Sequence, residues 1–367
     1  MTSNISQHCV APAHVVRGSG SLSQGVERIS RLTRRPLLLG RSDVTSGLRR
    51  QLASRLKSVG VECKQGQLYS DCCESDLHAI TDQLHREALD GVIAMGGGKV
   101  LDAGKLLAHR MGLACVTVPT SAATCAGWTA LANVYSPEGA FVKDEPLDRC
   151  PDLLIFDHDL VRRAPQRTLA SGIADAMAKW YEASVSSGSS SDGLVQQAVQ
   201  MARVLRDQVL LEAEQAIRDP LSDAWVRVAE ACALTAGLVG GIGGARCRTV
   251  AAHAVHNGLT QLAACHPLLH GEKVAFGILV QLRLEELLGD NRLAAQGRRQ
   301  LISLFRSLDL PVTLSDLGLA DASVQDLQQV CDFALREDSD LHHLPFRVEP
   351  SELMAALVST AAERQTA

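Results

Sequence analysis

Over its first 160 residues the chain alternates short apolar runs with longer amphipathic stretches, and no other feature narrows its fold so much. The runs at 36–39, 91–95, 114–118 and 153–156 each stand between helical patterns. Strand, helix, strand in that order builds a parallel sheet, because parallel neighbours need a crossover between them. One helix is expected to start after Ser42, carry Leu48, Leu52 and Leu56, and stop near Gly60. Another is expected over 75–88, with Leu77, Ile80 and Leu84 on one face.

After residue 165 the β-branched runs give way to Ala/Leu-rich helical spacing at 195–213, 223–236, 249–262, 274–288, 292–308 and 351–362. The division expected is 1–163, an α/β domain, and 164–367, an all-α domain. Arg162, Arg163 and Pro165 mark the join. Residues 184–191 are rich enough in Ser and Gly to form a flexible loop. With 46% apolar but only 3% aromatic residues, the cores must be built from Ala, Leu, Val and Ile.

Charge and cysteine usage exclude several classes of function. Thirty-six basic against forty-one acidic residues give a net charge of -5, so nucleic acid is not an expected partner. Eleven cysteines without a CxxC pair read as reduced thiols of a cytoplasmic protein. No signal peptide or membrane span is expected, since Gly237, Gly240, Gly241, Gly243 and Gly244 interrupt the least polar segment, 231–244.

Three segments carry chemistry. Gly96, Gly97, Gly98 and Lys99 follow an apolar strand and open a helix, where close backbone approach and free N–H groups suit a phosphate. The motif is neither GxGxxG nor a Walker loop, and a plain tight turn is the alternative. Residues 120–129, small and hydroxylated, follow the next strand end, where open α/β sheets bind ligands; a solvated loop is the alternative. His253, His256, His266 and His270 fall close together, the first two at i and i+3 on one helix face. Three imidazoles, or two with a carboxylate, suit Zn²⁺ or Fe²⁺ and leave a coordination position for substrate. Asp175 is a candidate carboxylate, unless it serves only the helix dipole or an i,i+4 pair with Lys179.

In order and spacing these stretches resemble the glycerol dehydrogenase group of the iron-containing alcohol dehydrogenase superfamily. The resemblance rests on residues 96–99 with Asp102 and Lys105, 118–120, 172–176, 252–260 and 270–277. It implies an N-terminal Rossmann-like domain binding NAD(P) and an all-α C-terminal domain binding metal and substrate, an architecture similar to that of dehydroquinate synthase. Asp175, His253 and His270 would be the metal ligands, with zinc expected ahead of iron. Gly96, Gly97, Gly98 and Lys99 would cradle the pyrophosphate, with Asp102 close by, and Thr120, Thr124, Thr129, Leu131 and Tyr135 would line the nicotinamide half. His256 would sit near the substrate as a proton-transfer group. A homo-oligomer acting on a small molecule is implied.

Two departures from the pattern bear on specificity. Cys125 stands where glycerol dehydrogenases carry a carboxylate for polyol hydroxyls, and 123–129 with 179–183 look more like the hydroxycarboxylate dehydrogenase branch. The expected substrate is therefore a 2-hydroxy acid and 2-oxo acid pair, with glycerol and dihydroxyacetone as the alternative and a dehydroquinate synthase-like lyase behind both. After the first apolar run, Gly40 and Arg41 stand where NAD-preferring members have an Asp, which makes room and charge for a 2′-phosphate; a plain surface arginine is the alternative.

Overall fold

The sheet-forming half runs β1 (His14–Gly18), α1 (Ser21–Leu32), β2 (Pro36–Gly40), α2 (Ser46–Ser58), β3 (Lys64–Gln67), α3 (Glu74–Arg86), β4 (Gly91–Gly96), α4 (Gly98–Met111), β5 (Ala114–Pro119), β6 (Leu131–Tyr135), β7 (Phe141–Pro146) and β8 (Leu153–Asp157). These elements come from a computed structural model that describes residues 7–289 and 291–361. Six strands pair in parallel in the order β1-β8-β5-β4-β2-β3, while β6 and β7 form a separate antiparallel hairpin.

Strand side chains alternate between two buried faces. Leu38, Ile93, Val116 and Ile155 pack with Ile29 of α1 and with Leu52 and Leu56 of α2. Leu37, Leu39, Val92 and Ala94 pack on the other face with Leu77 and Leu84 of α3 and Leu106 of α4. Burial on both sides is why the strands read as continuous apolar runs. The edge strand β3, Lys-Gln-Gly-Gln, has no apolar residue to betray it and is held by its pairing with β2. Helix α2 leaves β2 on one face and α4 leaves β4 on the other, so a crevice opens between the carboxyl ends of these neighbours.

The second half is all-α, apart from short irregular turns: α5 (His158–Val161), α6 (Gln166–Ser187), α7 (Gly193–Arg218), α8 (Asp223–Glu230), α9 (Ala236–Gly243), α10 (Ala251–Leu259), α11 (His270–Leu288), α12 (Arg292–Ser307), α13 (Val324–Ala334) and α14 (Pro350–Ala361). The loop expected at 184–191 is shorter, because α6 continues to Ser187, anchored by buried Ala183. Nor do the glycines of 231–244 break the chain's helical course. A π-helical turn, Ala231–Thr235, joins α8 to α9. By length and composition Asp223–Gly243 would suffice to cross a membrane, but it lies largely inside the protein, with Trp225, Val228, Cys232 and Val239 in its cores.

Three helices meet with almost no space between them. A β-carbon on Gly271 would strike the Ser171 carbonyl of α6, and one on Gly277 would strike the Ala252 carbonyl of α10. The absence of these methyl groups lets α11 lie against both helices.

Candidate metal centre and cofactor cleft

The crossing of α6, α10 and α11 brings together one ligand-type side chain from each. Asp175 Oδ1 lies 3.4 Å from His253 Nε2 and 3.7 Å from His270 Nε2. Ligand atoms of all three residues fall within 4.8 Å of one another. Asp175 and His253 are buried, and His270, first residue of α11, is half-buried at the cleft.

The surroundings prepare these atoms for a cation. Glu182, fully buried two turns beyond Asp175, accepts from His253 Nδ1 at 2.6 Å. It also accepts from the backbone N–H groups of Val250 and His253 at 2.7 and 3.0 Å. The His253 proton is thereby fixed on Nδ1, which turns the Nε2 lone pair towards Asp175. Burial alone would lower the His253 pKa, but Glu182 and Asp175 push it up to about 9. A position that attracts a proton so strongly also attracts a metal ion in its place. Burial raises the Asp175 pKa, yet the Lys179 ammonium at 3.3 Å and the bonds to His253 and His270 hold its carboxyl well below the usual range. The donor set and its directed lone pair fit a divalent metal with an open coordination position.

His256 is not one of the three. Its Nδ1 pairs with Asn257 Oδ1 at 2.9 Å, and its ring lies 4.2 Å from that of His270. Burial, followed by the charges of His270 and Lys273, keeps its pKa well below the ordinary value. His266, the fourth histidine of the cluster, bonds the Thr260 carbonyl at 2.9 Å.

One cleft of about 790 Å³ connects this centre with the crevice of the sheet. Its walls include Arg41, Gly96, Gly97, Gly98, Lys99, Asp102, Thr120, Thr124, Cys125, Thr129, Leu131, Tyr135, Asp175, His253, His256 and His270. Gly40 is not in the wall; the Arg49 guanidinium lies across its α-carbon, in the place a β-carbon would take. Arg41 does face the cleft, 3.1 Å from buried Asp71, whose other oxygen pairs with Lys99. Asp102 pairs with buried Lys105 at 3.0 Å, and Lys105 ties down the Thr129 and Leu131 carbonyls. Sequence reading missed Glu182 and Asp71 as parts of the site. For Glu182 a signal existed: Asp175, Lys179 and Glu182 stand at i, i+4 and i+7 on one helix face.

Comparison with known proteins agrees with this geometry. Residues 12–158 match the family model for iron-containing alcohol dehydrogenase. An uncharacterised oxidoreductase of Synechocystis sp. is 52% identical over 97% of this chain and 92% of its own. Hydroxycarboxylate dehydrogenase A of Escherichia coli is 38% identical over 78% of each chain, and a glycerol dehydrogenase of the same species 30% identical over 95% of each. A crystal structure of a probable glycerol dehydrogenase from Sinorhizobium meliloti superposes with a TM-score of 0.87 at 28% identity, covering 97% of this chain and 98% of that one.

These findings correct the metal expected from the sequence. Zinc ahead of iron is not supported, since the matching family is the iron-containing one and the Asp/His/His set is consistent with it. Imidazole and carboxylate donors by themselves give no ground for ranking zinc first. The chain belongs to the glycerol-dehydrogenase-like branch of the iron-containing alcohol dehydrogenase superfamily and is a metal-dependent, NAD(P)-linked oxidoreductase of a small alcohol and its carbonyl.

Proposed function

We propose that the protein interconverts a compact, oxygen-rich alcohol with its carbonyl compound, and that glycerol and dihydroxyacetone are the reference pair. The comparisons back that pair better than the 2-hydroxy acid pair inferred from Cys125, since the glycerol dehydrogenases align over nearly the whole chain. The observation that carries the reading is that the Asp175, His253 and His270 centre and the Gly96–Lys99 turn share one cleft.

When bound, the metal polarises the substrate oxygen and the nicotinamide carries the hydride. Asp175, His253 and His270 hold that metal. Gly97 and Gly98, at the start of α4, offer backbone N–H groups to the pyrophosphate, and Lys99 adds a positive charge. Thr120, Thr124, Thr129, Leu131 and Tyr135 form the wall along the nicotinamide half, and Asp102 stiffens it through Lys105. His256 donates from Nδ1 to Asn257, so its Nε2 is left to take or return the hydroxyl proton. Arg41 faces the cleft beyond β2, one strand over from the glycine turn, and receives the 2′-phosphate of NADP(H). The protein works in the cytoplasm as a homo-oligomer; its eleven cysteines are all free thiols, as that compartment requires.

Absorbance at 340 nm tests this with protein loaded anaerobically with ferrous iron. NADH and NADPH are each offered with dihydroxyacetone. Iron-dependent oxidation of either nucleotide is expected, with NADPH preferred. Turnover indifferent to chelation would refute the site assignment, and an equal response to the two nucleotides would refute the role of Arg41.

A further inference from the structure

Arg248 differs from the ion-paired arginines of this protein. Arg41, Arg110, Arg162, Arg167, Arg206 and Arg336, for example, each have a carboxylate partner. The Arg248 guanidinium has neither an ion pair nor a hydrogen bond among the described residues, and its Nε is buried without a partner. Its stem lies across Gly240 of α9, where a β-carbon would stand 2.6 Å from Arg248 Cγ. Arg248 and Gly240 both form part of the cleft wall. The Arg248 main chain is tied to the metal end of the cleft, because Lys179 Nζ donates both to the Arg248 carbonyl at 3.4 Å and to Asp175 Oδ1 at 3.3 Å.

A guanidinium kept partly from water without an anion is costly, and a planar carboxylate is the ligand that its fork of donors fits. A neutral polyol would leave that charge uncompensated. We propose that Arg248, flanked by the Lys179 ammonium, is a carboxylate subsite beside the metal centre, and that the cleft reduces small 2-oxo acids in addition to neutral hydroxyketones. The inference rests on the dehydrogenase reading above. Its redox balance is that of the same reaction: NAD(P)H is oxidised to NAD(P)⁺, its hydride forms the new C–H bond at C2, and the oxygen takes a proton that solvent supplies by way of His256.

The test uses oxamate, a carboxylate that mimics a 2-oxo acid and accepts no hydride, titrated calorimetrically into the iron- and NADPH-loaded protein. Oxamate is expected to bind, Arg248→Gln to weaken it at least about tenfold, and Arg248→Lys to restore part of the loss. The ratio of pyruvate to dihydroxyacetone reduction should fall in the same order. Oxamate binding that is absent, or equal in Arg248→Gln, overturns the subsite while dihydroxyacetone reduction upholds the dehydrogenase. An equal loss of NADPH affinity would assign Arg248 to the nucleotide and overturn the proposal. Failure of the wild-type protein to reduce either carbonyl would overturn the dehydrogenase reading itself.

Discussion

Asp175, His253 and His270 depend on one another for their chemistry, and Glu182 is held by more than the triad. It is pinned by two backbone N–H groups as well as by the His253 ring. Asp175→Ala should therefore yield folded protein that retains no metal after dialysis, measured by elemental analysis. Glu182→Gln should keep the triad but weaken metal about 10- to 100-fold, since the ring loses its charged acceptor. Lys273 provides a pH prediction. Burial, ahead of its charged neighbours, lowers its ammonium to about 8 from 10.5, while Nζ donates to the Cys265, Leu268 and Leu269 carbonyls. Below pH 8 both folded and unfolded chains are protonated and the burial penalty is fully present. Between pH 8 and 10.5 the folded chain has lost the proton that the unfolded chain keeps, so this contribution to stability rises with pH. Denaturant midpoints at pH 7.5 and 9.5 should show that rise in the wild type relative to Lys273→Met. The three ligands were legible in the sequence because each sits in a motif stretch. Glu182 and Arg248 were not, because their meaning lies in contacts across helices that no spacing along the chain records.

At the scale of elements, the metal centre is set by how closely helices approach. Gly271→Ala would press a methyl group into the Ser171 carbonyl, and α11 would have to move away from α6. A stability loss of about 1–3 kcal/mol is expected from overpacking, together with weaker metal binding, since His270 is the adjacent residue. Thermal unfolding and metal titration of the same variant check both. Strands β2, β4, β5 and β8 were readable because burial on two faces forces apolar runs. Strand β3 was not, since hydrogen bonds to β2 rather than side chains define it. The run from α8 to α9 was misjudged for a related reason. Its glycines lie beneath Trp128, Arg248 and Cys247, so they answer to packing partners and not to a break in the helix.

For the whole molecule, the decisive relation is between the two halves. The cleft takes its nucleotide-facing wall from the sheet half and its metal-facing wall from the helices. NADPH should accordingly stabilise the protein as a unit, by about 2.7 kcal/mol at a hundredfold excess over its dissociation constant, read as a single shifted unfolding transition. Two separate transitions, only one of them moved, would contradict this. The division into an α/β and an all-α half was legible from the change of period near residue 165, while the shared cleft emerged only from the fold.

The segment between β5 and β6 spans that gap. Its Thr124 hydroxyl lies 3.2 Å from where a β-carbon on Gly98 would stand, and its Ala122 carbonyl abuts Gly172 of α6, which likewise has no side chain to interpose. A short hydroxyl against one glycine and a main-chain carbonyl against another thus act as the ruler between the glycine turn and the helix that carries Asp175. Exchanges of the other cleft-wall side chains, Cys125 among them, would leave the ruler at its length, so new specificities are open to this scaffold without re-inventing its reaction.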